Sequence, residues 1–320
     1  MGVVKQSARS LSRRAFGRIL AGAVVLPCGA SPERLLRLAW HAGNSASLTL
    51  EHRYRCDAQI LLFGMPVAHR EGVGAGTVVW REFATGGAGR LLEFNGFSLP
   101  ERAAGLNRLG FLRELTRFQD GAADSIYFGL MTASQEDSAD EARKALHSSA
   151  KEQAYSAIQG RVGNGETETA IARFTAPSAI SSSRIAELEE RAQDALAAAE
   201  VIAAHEPSDG CSQSFLQTLA GLLLRPYREQ AHYTYSGRRY LMRVTRCEDG
   251  KAAAYFHERG LIHRSTSAIR VSGRVRRETD GKETEFRVWV PEPAERPLPL
   301  RIEYRAKSFL RLVFEAESQR

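Results

Sequence analysis

The chain has 320 residues, 43% of them hydrophobic and 25% charged, which is ample for a core in one large β-rich domain or two smaller ones. Its formal charge of +7 invites a nucleic-acid partner, but five of the 44 basic residues fall within 1–30, a stretch without an acid. Once that stretch is set aside, 39 Lys+Arg face 37 Asp+Glu, a net +2. That is too little for a protein that neutralises several phosphates, and no nucleic acid is expected as a partner.

The first 30 residues read as an address. Lys5, Arg9, Arg13, Arg14 and Arg18 form a basic head, Ile19 to Leu26 a short apolar run, and Gly29-Ala30 a small-residue exit before the helix-start pattern Ser31-Pro32-Glu33. That order describes a secretory signal, and its apolar run is too short to span a bilayer. Ser12, Arg13, Arg14 and Phe16, within SRRAFGR, resemble the twin-arginine export motif, with Gly17 where a leucine is usual. A basic amphipathic arm and a mitochondrial presequence are the rivals. Motif and context together favour export to the periplasm or cell envelope, with the twin-arginine export machinery as a partner. Cys28 raises the question of lipidation, but Pro27 stands where a lipobox carries a small residue. Cleavage near Ala30 is preferred, and lipidation of Cys28 is the minority reading.

Residues 31–320 are expected to form a single β-rich domain. In 47–135, Leu48, Leu50, His52, Tyr54 and Cys56 alternate with Glu51, Arg53 and Arg55, the period of a sheet with one covered side. AQILLFGMPVAHREGVGAGTVVWREFA continues as apolar runs broken by glycine turns, and GRLLEFNGFS gives another strand. LPERAAGLNRLGFLREL, with Leu106, Leu109, Leu112 and Leu115 at three-residue spacing, predicts a short helix. The middle, 136–225, reads as a helical insertion. SQEDSADEARKALHSSAKEQAYSAIQ and SSSRIAELEERAQDALAAAEVIAAHE are Ala/Glu-rich helices lying on a surface, with a loop between them, and SFLQTLAGLLLRP is a more apolar helix. Residues 226–320 return to antiparallel strands, with hairpin turns expected at Ser236-Gly237, Asp249-Gly250 and Asp280-Gly281. The last strands alternate Leu300, Ile302, Tyr304, Leu312 and Phe314 against Arg301, Glu303, Arg305 and Arg311. The fold class is therefore α+β and β-rich: a curved antiparallel sheet, half-barrel or barrel-like, with helices packed over it.

The C-terminal third, GKETEFRVWVPEPAERPLPLRIEYRAKSFLRLVFEAES, resembles the closing strands of the exported family called domain of unknown function 3108. Phe286, Val288 and Trp289 match its first element, Leu298-Pro299 and Arg301-Ile302-Glu303 the second, and Leu310, Leu312 and Phe314 the third. SFLQTLAGLLLRP resembles the family's helix before these strands, and YRCDAQILLFGMPVAHREGVGAG its opening hairpin. The resemblance implies an envelope protein on a curved antiparallel sheet, and it brings no catalytic residues with it.

No motif names a reaction. Gly72 to Thr77 lacks the lysine and spacing of a phosphate loop and reads as a turn between strands. The eight histidines contain no metal-ligand spacing, although strand-like surroundings would place His257 and His263 on one face. Cys56, Cys211 and Cys247 allow one disulfide of undetermined pairing, and no zinc spacing joins them. His52 beside Cys56 is the nearest approach to a nucleophile pair, and a buried or bonded cysteine is the stronger reading. No catalytic residue, metal or cofactor is expected. Trp289, Leu300, Ile302, Tyr304, Leu312 and Phe314 are the candidate apolar ligand face. The leading expectation is a soluble, non-enzymatic envelope protein that binds a lipid or other apolar small molecule, its arginine-rich rim drawing an anionic head group. The alternatives are an interaction module that docks an envelope protein partner through the helices at 137–155 and 181–204 and, third, a hydrolase.

Overall fold

Leu50, His52 and Tyr54 on β1 (Ala46–Leu62) stand opposite Trp80, Val78 and Gly76 on β2 (Met65–Phe83), so the alternation of the first strand sets the two faces of everything after it. The chain runs on through β3 (Gly89–Ser98), β4 (Leu109–Gln119), β5 (Ala122–Thr132), β6 (Glu152–Gly163), β7 (Glu166–Pro177) and β8 (Val201–His205), each antiparallel to the one before. A second meander follows: β9 (Gln230–Tyr235), β10 (Arg238–Glu248), β11 (Ser267–Arg277), β12 (Glu283–Glu292), β13 (Arg301–Lys307) and β14 (Leu310–Ala316). It returns to β1, Cys56 opposite Phe314 and Tyr54 opposite Ala316. First and last strands thus lie side by side within one 14-stranded antiparallel sheet, ordered β8-β7-β6-β5-β4-β3-β2-β1-β14-β13-β12-β11-β10-β9. The computed structural model describes residues 46–318 apart from 63, 84–88, 104–105, 120–121, 133–151, 164–165, 179, 181–183, 206–212 and 294–297.

The sheet is rolled. Tyr235 on β9 sets its ring 4.9 Å from that of Tyr127 on β5, and the Tyr127 hydroxyl accepts a hydrogen bond from the Ser236 N–H at 3.0 Å. Strands far apart in the order therefore meet, as accumulated right-handed twist allows.

Three helices among the described residues use both faces. α1 (Ile185–Ala197) lies outside, with Leu188, Ala192 and Leu196 packed on Phe111, Phe128, Tyr155 and Ala172. α2 (Phe215–Leu224) lies inside: Ala220 meets Trp80, Leu92 and Leu298, while Leu222 and Leu223 meet Tyr233, Met242, Val271 and Val288. It fills the trough between the two meanders. α3 (Gly250–Glu258) lies outside, with Ala253 and Phe256 against Ala268, Trp289 and Leu300.

The structure differs from the sequence reading in four places. The helix expected through residues 100–115 is a turn followed by β4, in which Leu109, Phe111 and Leu115 face outward and the even positions inward; leucines three residues apart alternate between the two faces of a strand. The helical insertion of 136–225 contains three strands. β6 occupies the end of the first expected helix and β7 the expected loop, while 133–151 lie outside the described residues. Tyr155, Ala157, Ala170 and Ala172 supply the outer floor beneath α1, and this packing overrides the helix propensity of an Ala-rich segment. Asp249-Gly250 is the start of α3 rather than a hairpin turn, the Asp249 carboxylate accepting from the Ala252 N–H at 3.1 Å. Gly72 to Thr77 lies within β2, where Gly72, at φ 60°, donates its N–H to Asp57 beside a shift in register. The hairpins at Ser236-Gly237 and Asp280-Gly281 form as expected, with positive φ at Ser236, Gly237 and Gly281.

Candidate functional site

The structure does not bring the six candidate apolar residues together. Trp289 stands opposite Arg301, and Ile302 opposite Val288, so the pleat sends Trp289 and Ile302 to opposite faces. Trp289 and Leu300 pack outside under α3, where the Trp289 indole donates to Asp249 at 3.0 Å. Ile302, Leu312 and Phe314 pack inside with Tyr54, Cys56 and Phe94. Tyr304, on the same side of β13 as Ile302, is 43% exposed. Apolar alternation here builds core on both sides of the sheet, and α2 occupies the inner trough that a ligand would need. Ser12, Arg13, Arg14, Phe16 and Cys28 lie outside the described residues.

The nucleophile pair is not poised for chemistry. Burial pushes the Cys56 thiol up to about 12, with Asp57 adding to the rise, so the thiolate is scarce at neutral pH. His52 sets Nδ1 3.4 Å from the Pro299 carbonyl, and burial lowers its pKa. His257 and His263 belong to the last turn of α3 and the loop beyond it, not to a strand face; they contact the Thr266 carbonyl and the Ser265 hydroxyl. Cys56 and Cys247 are unbonded, the first buried and the second exposed, and Cys211 lies outside the described residues. In a Cys211→Ser background, a thiol reagent should label Cys247 within minutes and Cys56 only on unfolding. Equal labelling rates in the folded protein would contradict this burial.

One dipeptide of β4 ties a helix to each face. Arg113, pointing outward, donates to Glu93 at 2.7 Å and to Glu189 of α1 at 3.3 Å. Glu114, pointing inward and fully buried, accepts from the Leu216 and Gln217 N–H groups at 2.9 Å each and from the Ser214 hydroxyl. It thereby satisfies N–H groups at the α2 N-terminus, where the helix favours negative charge. Burial outweighs these bonds and raises the Glu114 carboxyl to about 7. Burial likewise raises Glu189 to about 7 against the pull of Arg113.

Beyond the patch covered by α3, the outer face of β10–β14 carries charge rather than core. An open groove there is lined by Arg243, Arg274, Arg276, Arg287, Arg305 and Arg311, with Glu283, Glu285 and Glu303 among them. Six guanidinium groups face three carboxylates. Arg274 pairs with Glu283 and Glu285 at 3.4 and 3.3 Å, and Glu303 is shared by Arg287 at 3.5 Å and Arg311 at 3.9 Å. Arg243 donates to the neutral Gln230 side chain at 3.2 Å and Arg305 to the Ser308 carbonyl at 2.9 Å. Arg276 makes no ion pair among the described residues. The lattice holds each strand's charges to its neighbours and still presents excess positive charge in a fork geometry suited to phosphate or carboxylate. Arg305 and Arg311 of this face were legible in the alternation of the last strands. The contribution of β10 to β12 was not, because it depends on register.

No protein-family model matches the chain, and no curated protein matches it. Among solved structures it is similar to the crystal structure of a beta-barrel-like protein of domain of unknown function DUF1849 from Brucella abortus. The likeness covers 85% of this chain and 97% of that one, at 9% identity and a TM-score of 0.42. The resemblance of the C-terminal strands to domain of unknown function 3108 has no family-model match beside it. The fold class is mostly β: a rolled 14-stranded antiparallel sheet with three short helices among the described residues.

Proposed function

We propose that the protein is an exported, non-catalytic envelope protein that binds a lipid-like molecule by its anionic head group. The observation that supports this most is the arginine excess of the β10–β14 groove, and the twin-arginine-type leader and the resemblance of the last strands to an exported family agree with it. The reading moves the site from the inner trough, which α2 fills, to the outer face. There the guanidinium groups would grip phosphate oxygens. The rival docking role for the helices gains nothing from α1, whose apolar stripe is used against β4–β7.

Titration with short-chain phosphatidylglycerol below its micellar concentration tests the reading, with the matching phosphatidylcholine as control. The anionic lipid should bind about tenfold or more tightly. Arg274→Ala/Arg276→Ala/Arg311→Ala should weaken it by a similar factor or more, with a reduced salt dependence. Equal affinity for both lipids, or an unaffected triple variant, would rule the groove out.

A further inference from the structure

We infer that the tip of the β1–β2 hairpin is a bilayer-docking element that enters the interface of a membrane rich in anionic lipid. β1 and β2 are the longest strands, 17 and 19 residues. The β3 ladder with β2 begins only at Gly74, and every residue from Met65 to Glu71 is exposed. On the other side β14 accompanies β1 as far as Ile60 opposite Leu310, and the Leu61 N–H bonds the Phe309 carbonyl in the β13–β14 turn at 2.8 Å. The tip therefore overhangs both neighbours, running past the β13–β14 turn by roughly two residues, or about 7 Å at strand rise.

What the overhang exposes is apolar. Leu62 is 55% exposed, Met65 66% and Val67 59%, while Leu61 between the two hairpins is buried and anchors the base. An apolar finger held open to solvent by a rigid ladder needs something to cover it. The charge around its base points to what that is. Arg70 on β2, Arg305 and Lys307 on β13, and Arg311 on β14 stand within a few ladder positions of the tip, against Glu71 as the exposed acid among them. Apolar side chains ahead of a basic collar match the layering of a membrane interface, with acyl boundary beyond anionic head groups. The shape agrees: a two-strand wedge offers no groove to a folded partner, whereas lipid closes around a narrow tip. Among the described residues no helix is long and apolar enough to cross a membrane, and the overhang matches the depth of roughly 5–10 Å at which interfacial elements sit.

The inference shares the anionic lipid class and two arginines, Arg305 and Arg311, with the proposed function, but its apolar tip lies outside the groove, so variants confined to the tip let the two fail separately. The full-length protein should float with vesicles of phosphatidylglycerol and phosphatidylethanolamine and remain behind with phosphatidylcholine vesicles. Leu62→Asp/Met65→Asp, confined to exposed positions, should lower the floated fraction at least tenfold while leaving the affinity for short-chain phosphatidylglycerol unchanged. Met65→Trp should keep flotation and shift its emission to the blue on anionic vesicles. The inference is overturned if the wild type does not float, if the double aspartate variant floats as the wild type does, or if the tryptophan emission stays unshifted. It is also overturned if the wild type self-associates through the tip and the aspartate variant is monomeric, which would assign the finger to a second copy of the chain.

Discussion

Glu114→Ala should destabilise the fold by about 3–5 kcal/mol, because it removes the acceptor for three donors at the buried α2 start and leaves a cavity beside them. Glu114→Gln should behave differently, since it keeps the volume and one acceptor oxygen. The contrast lies in pH. The folded-state value of about 7 stands above the ordinary carboxylate range, so between the two the folded protein holds a proton that the unfolded chain has released. Stability from this group is fully present below the unfolded value and is lost as pH rises through 7, a fall of about 3 kcal/mol. Denaturant titrations at pH 5 and pH 8 should show that fall in the wild type and a reduction of it by that amount in Glu114→Gln. The contribution of Glu189 is common to both proteins and cancels in the comparison. An identical slope in both would mean that Glu114 does not titrate as its burial requires.

A second large effect is expected at Gly160 on β6. It stands opposite Tyr127, and a Cβ there would overlap the Tyr127 ring. Tyr127 is fully buried, and its hydroxyl bonds Thr169 at 2.8 Å and Ser236 at 3.0 Å, linking β5 to β7 and to the β9–β10 turn. Gly160→Val forces Tyr127 out and separates the two meanders where the roll closes, at an expected cost of about 3 kcal/mol or more. The control is a double-mutant cycle: in a Tyr127→Ala background, Gly160→Val should cost under about 1 kcal/mol. Additive costs for the two changes would contradict the close approach.

The parts of the fold legible in the sequence were those in which one face is polar. β1 and β11–β14 alternate visibly, and two of the three expected turn dipeptides close hairpins. β6 and β7 were illegible because small and polar residues occupy both faces of β6 and β7 sets alanines against threonines, a pattern that marks no covered side although residues of both faces are buried. Glu114 was hidden in FLREL, where Leu112 and Leu115 read as a helix stripe although they face opposite sides of a strand. The ligand face failed for a related reason: alternation identifies two faces without saying which of them is covered. α2 is apolar almost all round, the mark of a buried helix, but nothing in SFLQTLAGLLLRP says that it fills the inside of the roll. The groove arginines gather from five strands, and their convergence follows from register.

Native mass spectrometry of the purified protein tests the central claim most directly. Spectra recorded with equimolar short-chain phosphatidylglycerol and phosphatidylcholine should show the anionic lipid as the bound adduct. That adduct should be lost in Arg274→Ala/Arg276→Ala/Arg311→Ala and retained in Leu62→Asp/Met65→Asp. A protein that binds neither lipid, or one that holds the zwitterionic lipid equally well and keeps it without the arginines, would contradict the claim.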